Sequence, residues 1–308
     1  MMSFFGCSPI LPIEHPTPPE NNSEISEQIA QDLKIYVIDV GQGDATLIVG
    51  PLGRTLLIDS GPAESGHRAI IPLLNTLHID TIHWMVLTHY DADHIGGLRE
   101  VLSGDDEILG TYDDLYPIFG LYDRGEETDK NTFTYQNYTQ ITDPVRRTIA
   151  PGTVMDLGDG ATAQVIVVNG HYSDDSHIHL NPNEENEASI GLLIQYGHFK
   201  YFTAGDLPGG GSPGGFETKD LESHVGEIIG DIDVLHAGHH GSASSSNDFF
   251  LKTIKPESVI ISVGLNNDYH HPAETTLNRI EAIGSEVFRT DLRGRILIES
   301  DGNQYEIK

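Results

Sequence analysis

The segment Thr88–Gly97 reads Thr-His-Tyr-Asp-Ala-Asp-His-Ile-Gly-Gly; it ends the predicted strand Ile82–Thr88 and opens a helix. Four side chains that can bind a metal ion lie within six residues here: His89, Asp91, Asp93 and His94. Carboxylates held this close repel each other, whereas a divalent cation between them turns repulsion into attraction and lowers the pKa of a bound water. The alternative is a solvated turn in which Asp93 caps the helix that begins near His94.

Three further segments place polar side chains beside predicted strands and favour the metal site. They are Asp206 after the strand Lys200–Ala204, His239 and His240 after Ile232–Ala237, and Asn186 before Ser189–Tyr196. Each segment taken alone is also ordinary turn chemistry. The single cysteine, Cys7, excludes an internal disulfide and a thiolate-built zinc site. A metal ion must therefore be held by His, Asp, Glu or Asn.

Runs of β-branched residues alternate with turn residues along the chain and predict a strand-rich fold. The predicted strands are Lys34–Val40, Ala45–Val49, Thr55–Asp59, Ile82–Thr88, Gln164–Asn169, Ser189–Tyr196, Lys200–Ala204, Ile232–Ala237, Ser258–Val263 and Arg295–Glu299. Helices are predicted at Arg68–Leu77, after Gly97, and at Ala273–Ile283. This order predicts an α+β fold with two packed sheets flanked by helices. The weakly periodic segment Gly104–Arg147 predicts a long excursion that covers a site.

Residues 1–31 are rich in proline and lack an apolar period, which predicts a disordered tether ahead of one domain at residues 32–308. The sequence before Cys7 resembles the end of a bacterial lipoprotein signal, but no basic region and no full apolar region precede it. Two interpretations stay open. In the first, Cys7 is a lipid anchor after a truncated signal, and the protein is extracytoplasmic. In the second, Cys7 is an incidental thiol, and the location of the protein is undetermined, with the cytoplasm among the possibilities. No apolar run approaches the roughly 20 residues that span a bilayer.

The chain is strongly acidic, with 17 Lys and Arg against 47 Asp and Glu and a formal net charge of -30. Such a surface repels polyanions at long range, so long nucleic acid is an unfavourable partner at low salt. The same acidity is typical of proteins adapted to a salty medium, where the Debye length is about 3 Å at 1 M salt. Single-stranded nucleic acid at high salt therefore stays an alternative substrate.

Several short sequence blocks occur along the chain in the order that is typical of one protein family. They are Asp39–Asp44, Leu57–Gly61, Thr88–Gly97, Ala204–Leu207, His239–Ser242, Ser262–Asn267, His271-Pro272 and Thr290-Asp291. In that order the chain resembles the metallo-β-lactamase superfamily, and within it the branch that contains the hydrolase domain of ComEC-type DNA-uptake channels. The resemblance covers roughly Leu33–Lys308. It implies a four-layer αβ/βα sandwich with two divalent metal ions at the edge where the two sheets meet.

The resemblance also implies a ligand set: His89 and Asp91 at one ion, Asp93, His94 and His240 at the other, and Asp206 between them. Asp59 is implied to hold the metal loop from behind. Many members have a histidine at the position of Asp91, and the third histidine of the first site is absent, with Asn186 its nearest substitute. ComEC-like relatives share both departures. This oxygen-rich set shifts the expected metal from zinc toward manganese, with zinc as the alternative.

Two groups of residues are expected to act on the substrate. The expected catalytic residues are Asp93, Asp206 and His239, and the expected substrate contacts are Asn266, Asn267, His271 and Arg124. Arg124 would clamp an anionic group, with an ordinary surface arginine as the alternative. The adjacent histidines His239 and His240 are expected to point to opposite sides as they leave a strand, with His240 the metal ligand.

The predicted reaction is hydrolysis of a phosphodiester by a metal-bound hydroxide, with a small or wall-associated substrate favoured because the chain is so acidic. The alternatives are a lactonase or β-lactamase-like ester or amide hydrolase, and a non-catalytic metal-binding domain of a lipoprotein. The oligomeric state is open.

Overall fold

The computed structural model describes residues 32–125, 132–181, 184–211 and 217–308. The predicted tether at residues 1–31, with Cys7, lies outside them. The strands are β1 (Leu33–Val37), β2 (Thr46–Val49), β3 (Thr55–Ile58), β4 (Trp84–Val86), β5 (Gly120–Asp123), β6 (Arg146–Thr148), β7 (Val154–Gly158), β8 (Ala161–Val168), β9 (His171–Tyr172), β10 (Gly191–Tyr196), β11 (Phe199–Thr203), β12 (Gly209–Gly211), β13 (Thr218–Asp220), β14 (Val234–His236), β15 (Ser258–Ile261), β16 (Glu286–Arg289), β17 (Ile296–Ser300) and β18 (Tyr305–Ile307). The α-helices are α1 (Ile71–Leu77), α2 (Ala92–Ile95), α3 (Leu98–Leu102), α4 (Phe133–Thr142), α5 (Glu222–Ile229), α6 (Asp248–Ile254), α7 (Glu274–Ala282) and α8 (Thr290–Arg293).

Two large mixed sheets organise these elements. The first has the strand order β18-β17-β1-β2-β3-β4-β5-β6, and the second has the order β16-β15-β14-β11-β10-β8-β7. Each sheet changes from antiparallel to parallel pairing along its length: β2 pairs antiparallel with β3, whereas β3, β4, β5 and β6 run parallel. In the second sheet β11, β14, β15 and β16 run parallel.

The apolar side chains form three layers of core, as the alternation along β1 illustrates. Leu33, Ile35 and Val37 face the second sheet and join the central core, whereas Tyr36 points the other way into a core shared with α1 and α3. A third core lies between the second sheet and the helices α5, α6 and α7. Period-two alternation on strands that are covered on both faces produces this arrangement. The fold is the predicted α+β, four-layer αβ/βα sandwich.

Several elements differ from those predicted. The helix predicted at Arg68–Leu77 begins as a wider turn at Gly66–Ile70 and continues as α1, with Pro72 in its first turn. The segment Gly104–Arg147 supplies β5, α4 and the start of β6, so it extends the first sheet. These strands are short and parallel, and they lack the alternation by which sequence reasoning recognises a strand. Among the described residues, none of the helices has the length and apolar character needed to cross a membrane.

Glu222, in the first turn of α5, is a buried carboxyl group that fixes a loop of the second sheet. It is 3% exposed and accepts hydrogen bonds from the backbone N–H groups of Ser246 (2.8 Å) and Asn247 (3.1 Å). Burial raises the pKa of Glu222 to about 8, although these hydrogen bonds oppose the shift. The folded protein therefore holds this proton at pH values where the unfolded chain has released it.

The stability of the wild-type protein is expected to fall as pH rises from about 4.5 to about 8, because the pKa of Glu222 is higher in the folded state than in the unfolded state. Where the folded state binds one more proton than the unfolded state, the free energy of unfolding falls by roughly 1.4 kcal/mol per pH unit. Urea unfolding of the wild type and of Glu222→Gln across this range measures the effect, and the variant should gain relative stability as pH rises. Glu274→Gln, an exposed residue in the first turn of α7, is the control. Parallel stability curves for wild type and Glu222→Gln would contradict the prediction.

Candidate metal centre

The side chains predicted to bind metal lie at the carboxyl ends of parallel strands in both sheets. Asp59 follows β3 and His89 follows β4, which are parallel neighbours in the first sheet. Asp206 follows β11, and His239 and His240 follow its parallel neighbour β14 in the second. In open α/β sheets this edge is where ligands bind. The two sheet edges meet here, so residues far apart in the chain face one another.

Backbone hydrogen bonds between the two sheets and within the second sheet fix the loops around this edge. Ile190 N–H donates to Thr88 O, and His239 N–H donates to Gly205 O, both at 3.0 Å. A Cβ atom at Gly205 would lie 2.4 Å from Thr88 Oγ1, and the φ angle of Gly205 is +50°. Only glycine fits between the loop that carries Asp206 and the loop that carries the first histidines.

One group of possible ligands consists of His89, His94 and Asp206. Their ligand atoms lie within 4.8 Å of one another and all three side chains are buried. His94 Nε2 is 3.2 Å from Asp206 Oδ1, and His89 Nε2 is 3.9 Å from Asp206 Oδ2. His89 Nε2, His94 Nε2 and Asp206 Oδ1 nevertheless have no hydrogen-bond partner among the described residues. Buried polar atoms without partners are costly, and a divalent cation would satisfy all three, so the residues fit a metal ion.

A second group consists of Asp93, His94 and His240, whose ligand atoms also lie within 4.8 Å of one another. His240 Nε2 is 3.2 Å from Asp93 Oδ2 and 3.7 Å from Asp206 Oδ1. On the other side of the same ring, His240 Nδ1 lies 3.0 Å from the carbonyl oxygen of Ser262. A proton on Nδ1 would be donated to this carbonyl, which leaves the lone pair of Nε2 for a cation.

Asp59 holds the metal loop in the way the sequence predicts. Its Oδ2 lies 2.8 Å from His94 Nδ1 and accepts a hydrogen bond from Thr88 Oγ1, while its Oδ1 accepts one from Thr88 N–H, both at 2.7 Å. A carboxylate on Nδ1 fixes the orientation of the imidazole ring and makes Nε2 a better ligand. Asp59 therefore aims His94 at Asp206 without facing the site itself.

The carboxylates of the cluster are held in their charged form by histidines. Burial alone would raise the pKa of Asp206, but His239, His94 and His240 outweigh burial and hold it well below its usual range. Burial likewise opposes protonation of His94, yet Asp206 and Asp59 raise the pKa of His94 well above its ordinary value. Buried negative charge faced by imidazoles is an environment that a divalent cation can enter by displacing protons.

Asp91 and Asn186, the expected weak ligands of the first ion, lie at the rim of the cluster. Asp91 Oδ2 is 3.7 Å from His89 Nε2, and its side chain is 41% exposed. Asn186 lies in a short helical turn, Glu185–Ala188, with its Nδ2 atom 3.4 Å from both ring nitrogens of His239. The structure thus brings Asp91 toward the first group and Asn186 beside His239.

The two adjacent histidines differ in burial, but the reason given from sequence is wrong. Strand β14 ends at His236, and both His239 (φ 50°) and His240 (φ 53°) adopt left-handed backbone conformations in the turn Gly238–Gly241. Alternation along an extended strand therefore does not apply to them. The turn nevertheless separates the rings, whose planes are inclined by 74°. His240 is 2% exposed inside the cluster, whereas His239 is 26% exposed, with Nε2 3.5 Å from Asp206 Oδ2.

The expected substrate contacts in the loop after β15 divide into two kinds. Asn267 uses its amide to hold the loop: Nδ2 donates to Gly264 O and His271 O, and Oδ1 accepts from His271 N–H. Asn266 is exposed. His271 packs edge-on against His239 with ring centroids 5.5 Å apart, and its Nδ1 is buried without a hydrogen-bond partner. Burial and the neighbouring His239 lower the pKa of His271 to about 4, so this imidazole is neutral.

Arg124 differs from both sequence interpretations, because its guanidinium is neither on the surface nor directed at a substrate. The residue is 4% exposed and pairs with Glu185 through Nε (2.8 Å) and Nη2 (2.6 Å). Glu185 also accepts a hydrogen bond from the backbone N–H of Tyr90, next to His89, at 2.8 Å. The pair thus connects the turn that carries Asn186 to the loop that carries His89. Sequence reasoning missed Glu185, since nothing local marks a pairing 61 residues apart.

Glu185→Gln is expected to lower the free energy of unfolding by roughly 3–5 kcal/mol, because the change removes a buried carboxylate that pairs with the Arg124 guanidinium. Urea denaturation checks this, with Glu184→Gln as the neighbouring control: Glu184 precedes the same turn and its side chain makes no capping hydrogen bond. Equal stabilities of the two variants would mean that the pair contributes nothing measurable.

Comparison with known proteins agrees with this geometry. The profile of the family described as "Metallo-beta-lactamase superfamily" matches residues 38–184. ComE operon protein 3 of Bacillus subtilis (strain 168) is 27% identical over 286 residues, which cover 87% of this chain and 33% of that protein. Competence protein ComA of Neisseria gonorrhoeae is 29% identical over 264 residues, covering 85% and 31%. The chain therefore spans about a third of the length of these curated relatives. The crystal structure of a diphosphatase from the PhnP family is 16% identical, with a TM-score of 0.46 and coverage of 87% and 98%.

Proposed function

We propose that this chain, which carries a metallo-β-lactamase superfamily domain, is a metal-dependent hydrolase and that it hydrolyses phosphodiesters with two divalent ions bound at the sheet edge. One observation carries the proposal: three buried atoms, His89 Nε2, His94 Nε2 and Asp206 Oδ1, converge without hydrogen-bond partners. In the proposal His89 and Asp91 would hold one ion, Asp93, His94 and His240 would hold the other, and Asp206 would be a ligand of both. The ions are manganese or zinc.

When bound, divalent ions would supply a nucleophile at neutral pH and would stabilise the charge that develops on the reacting oxygens. The protein's own residues provide the rigid frame for this chemistry. Asp59 fixes the ring of His94, and Ser262 O fixes the ring of His240. Asp206 presents one oxygen to His94 and His240 and the other to His89 and His239.

The outer side of the cluster supports an anionic substrate. His239 is partly exposed beside Asp206 and is positioned to donate a hydrogen bond to a phosphoryl oxygen. His271 packs edge-on against His239 and limits the positions that the ring of His239 can occupy. Donors placed where negative charge develops are a large contribution to phosphoryl transfer.

A groove of about 490 Å³ beside Asp93 supports a small substrate over a long duplex. Its walls include the aromatic rings of Phe133 and Tyr269, which are 78% and 69% exposed, with Gln42 and Arg99. A duplex would need a basic track to offset its closely spaced phosphates, and the chain as a whole has a net charge of -30. The groove suits the organic group of a small phosphodiester, whose phosphorus would then lie near Asp93.

The test is a substrate screen with protein stripped of metal and reloaded with Mn²⁺ or Zn²⁺. Bis(p-nitrophenyl) phosphate, p-nitrophenyl phosphate, a lactone and a chromogenic β-lactam are compared at equal concentration. We expect turnover of the diester that disappears with chelator and returns with metal. Faster turnover of the lactone or β-lactam would replace the proposal by the ester or amide hydrolase, and metal binding without any turnover would support a binding domain.

A further inference from the structure

Asp44 lies on the inner side of the cluster. It ends the block Asp39–Asp44 that contributes to the family resemblance, but the proposed ligand set gives it no role. It is 6% exposed, and its Oδ1 atom has no hydrogen-bond partner among the described residues. Two imidazoles lie beside it: His236, with Nε2 at 3.4 Å from Oδ1, and His240, with Nδ1 at 3.9 Å. One ligand atom each from Asp44, Asp206 and His240 lie within 4.8 Å of one another. A buried carboxylate oxygen without a partner therefore faces two of the proposed ligands.

The backbone of Asp44 is hydrogen-bonded to the segments that flank the metal site, so the fold fixes the position of its carboxylate. Asp44 N–H donates to Asp93 O at 3.1 Å, and Asp44 O accepts from Gly61 N–H at 2.8 Å. The preceding Gly43 has φ +144°, and a Cβ atom there would lie 2.4 Å from Asp93 O. The loop before β2 thus packs directly on the segment that carries Asp93 and His94.

The grouping of carboxylates at this position also points to a cation. Asp206 is a second buried carboxylate, and its ligand atom lies within 4.8 Å of that of Asp44. Carboxylates held this close repel each other, and a divalent cation between them would turn the repulsion into attraction.

We propose that Asp44 is a direct ligand of a divalent cation, which it shares with Asp206 and His240. The inference rests on the metal centre of the proposed function and extends it by one inner carboxylate. An additional hard oxygen ligand on the His240 side would favour manganese over zinc.

The decisive experiment is crystallographic, because removal of a residue that merely orients a ligand also weakens metal binding by 10–100-fold. Crystals of the wild-type chain soaked in Zn²⁺ are measured at the zinc absorption edge. We expect an anomalous peak within about 2.0–2.2 Å of an Asp44 carboxylate oxygen. A peak bound by Asp206 and His240 but beyond coordination distance of Asp44 overturns the proposal and makes Asp44 a positioning residue. The absence of any bound ion overturns both this proposal and the metal centre.

A metal-binding experiment in solution, without substrate, complements the crystallographic measurement. Co²⁺ binding to the metal-free wild type, Asp44→Asn and Asp39→Asn is followed by competition with a chromophoric chelator and by visible absorption. Asp39 is an exposed carboxylate in the same segment whose Oδ1 accepts the Gly41 N–H. We expect Asp44→Asn to weaken the binding of one Co²⁺ ion at least about tenfold and to change the ligand-field bands of that ion. Asp39→Asn should change neither the affinity nor the bands. Unchanged affinity and bands in a folded Asp44→Asn protein overturn the assignment. Since no substrate is present, failure of the phosphodiesterase activity would not affect this result.

Discussion

With the proposed two-ion site, Asp206→Asn is expected to lower turnover of the proposed phosphodiester substrate by at least about 100-fold and to reduce the bound metal from two ions to one or none. The reason is the position of its carboxylate: Oδ1 lies 3.2 Å from His94 Nε2, and Oδ2 lies 3.5 Å from His239 Nε2. A full negative charge spread over two oxygens can hold two cations close together, whereas a neutral amide offers one weak oxygen ligand. Metal content by elemental analysis and kcat/KM with Mn²⁺ measure the two effects.

The same variant should remain folded, because an amide fills nearly the same volume as a carboxylate. Its melting curve without metal is the check on this point. Asp248→Asn provides a matched control: it removes a carboxylate at the start of α6, where the side chain is 65% exposed and paired with Lys252. Equal metal content and equal turnover in Asp206→Asn and Asp248→Asn would contradict the proposed role of Asp206 as a ligand of both ions.

The part of the site that sequence reasoning reached is the part encoded locally. His89, Asp91, Asp93 and His94 are crowded into one short segment, and crowded charge at a strand end needs a physical explanation wherever it occurs. Asp206 and His240 each follow an apolar run by a few residues. Since parallel strands of one sheet present their carboxyl ends at one edge, Asp206 and His240 meet at the edge of the second sheet, and the packing of the two sheets brings them to the His89 segment.

The part that sequence reasoning did not reach depends on contacts between distant segments. Arg124 was expected at the surface or at the substrate, but its role is decided by Glu185 and by the backbone of Tyr90. Asp44 carries no local sign of its position beside His236 and His240. Its place follows only from the packing of the loop before β2 on the segment of Asp93. Such pairings are set by the tertiary fold and leave no periodic signal along the chain.

The backbone of the histidine pair was unpredictable for a different reason. Non-glycine residues seldom adopt left-handed conformations, so two in succession at His239 and His240 would not be chosen from sequence. The hydrogen bond from Ser242 N–H to His239 O (2.8 Å) closes the turn, and His240 is held from behind by Ser262 O. The surrounding structure thus imposes this turn and separates the two rings.

His240→Ala is expected to lower metal content and turnover together, whereas His239→Ala should keep both ions and lose roughly 10²–10³-fold in turnover. His240 is buried with Nε2 near Asp93 and Asp206, so its removal takes away a ligand atom. His239 is partly exposed beside Asp206, so its replacement by alanine removes one hydrogen-bond donor to the negative charge that develops on the substrate. Elemental analysis, kcat and KM for each variant separate the two roles, and a melting curve excludes unfolding. If metal is lost from the His239 variant while the His240 variant stays fully loaded, the two roles must be exchanged, because the burial of a ring would then not decide which imidazole binds the ion.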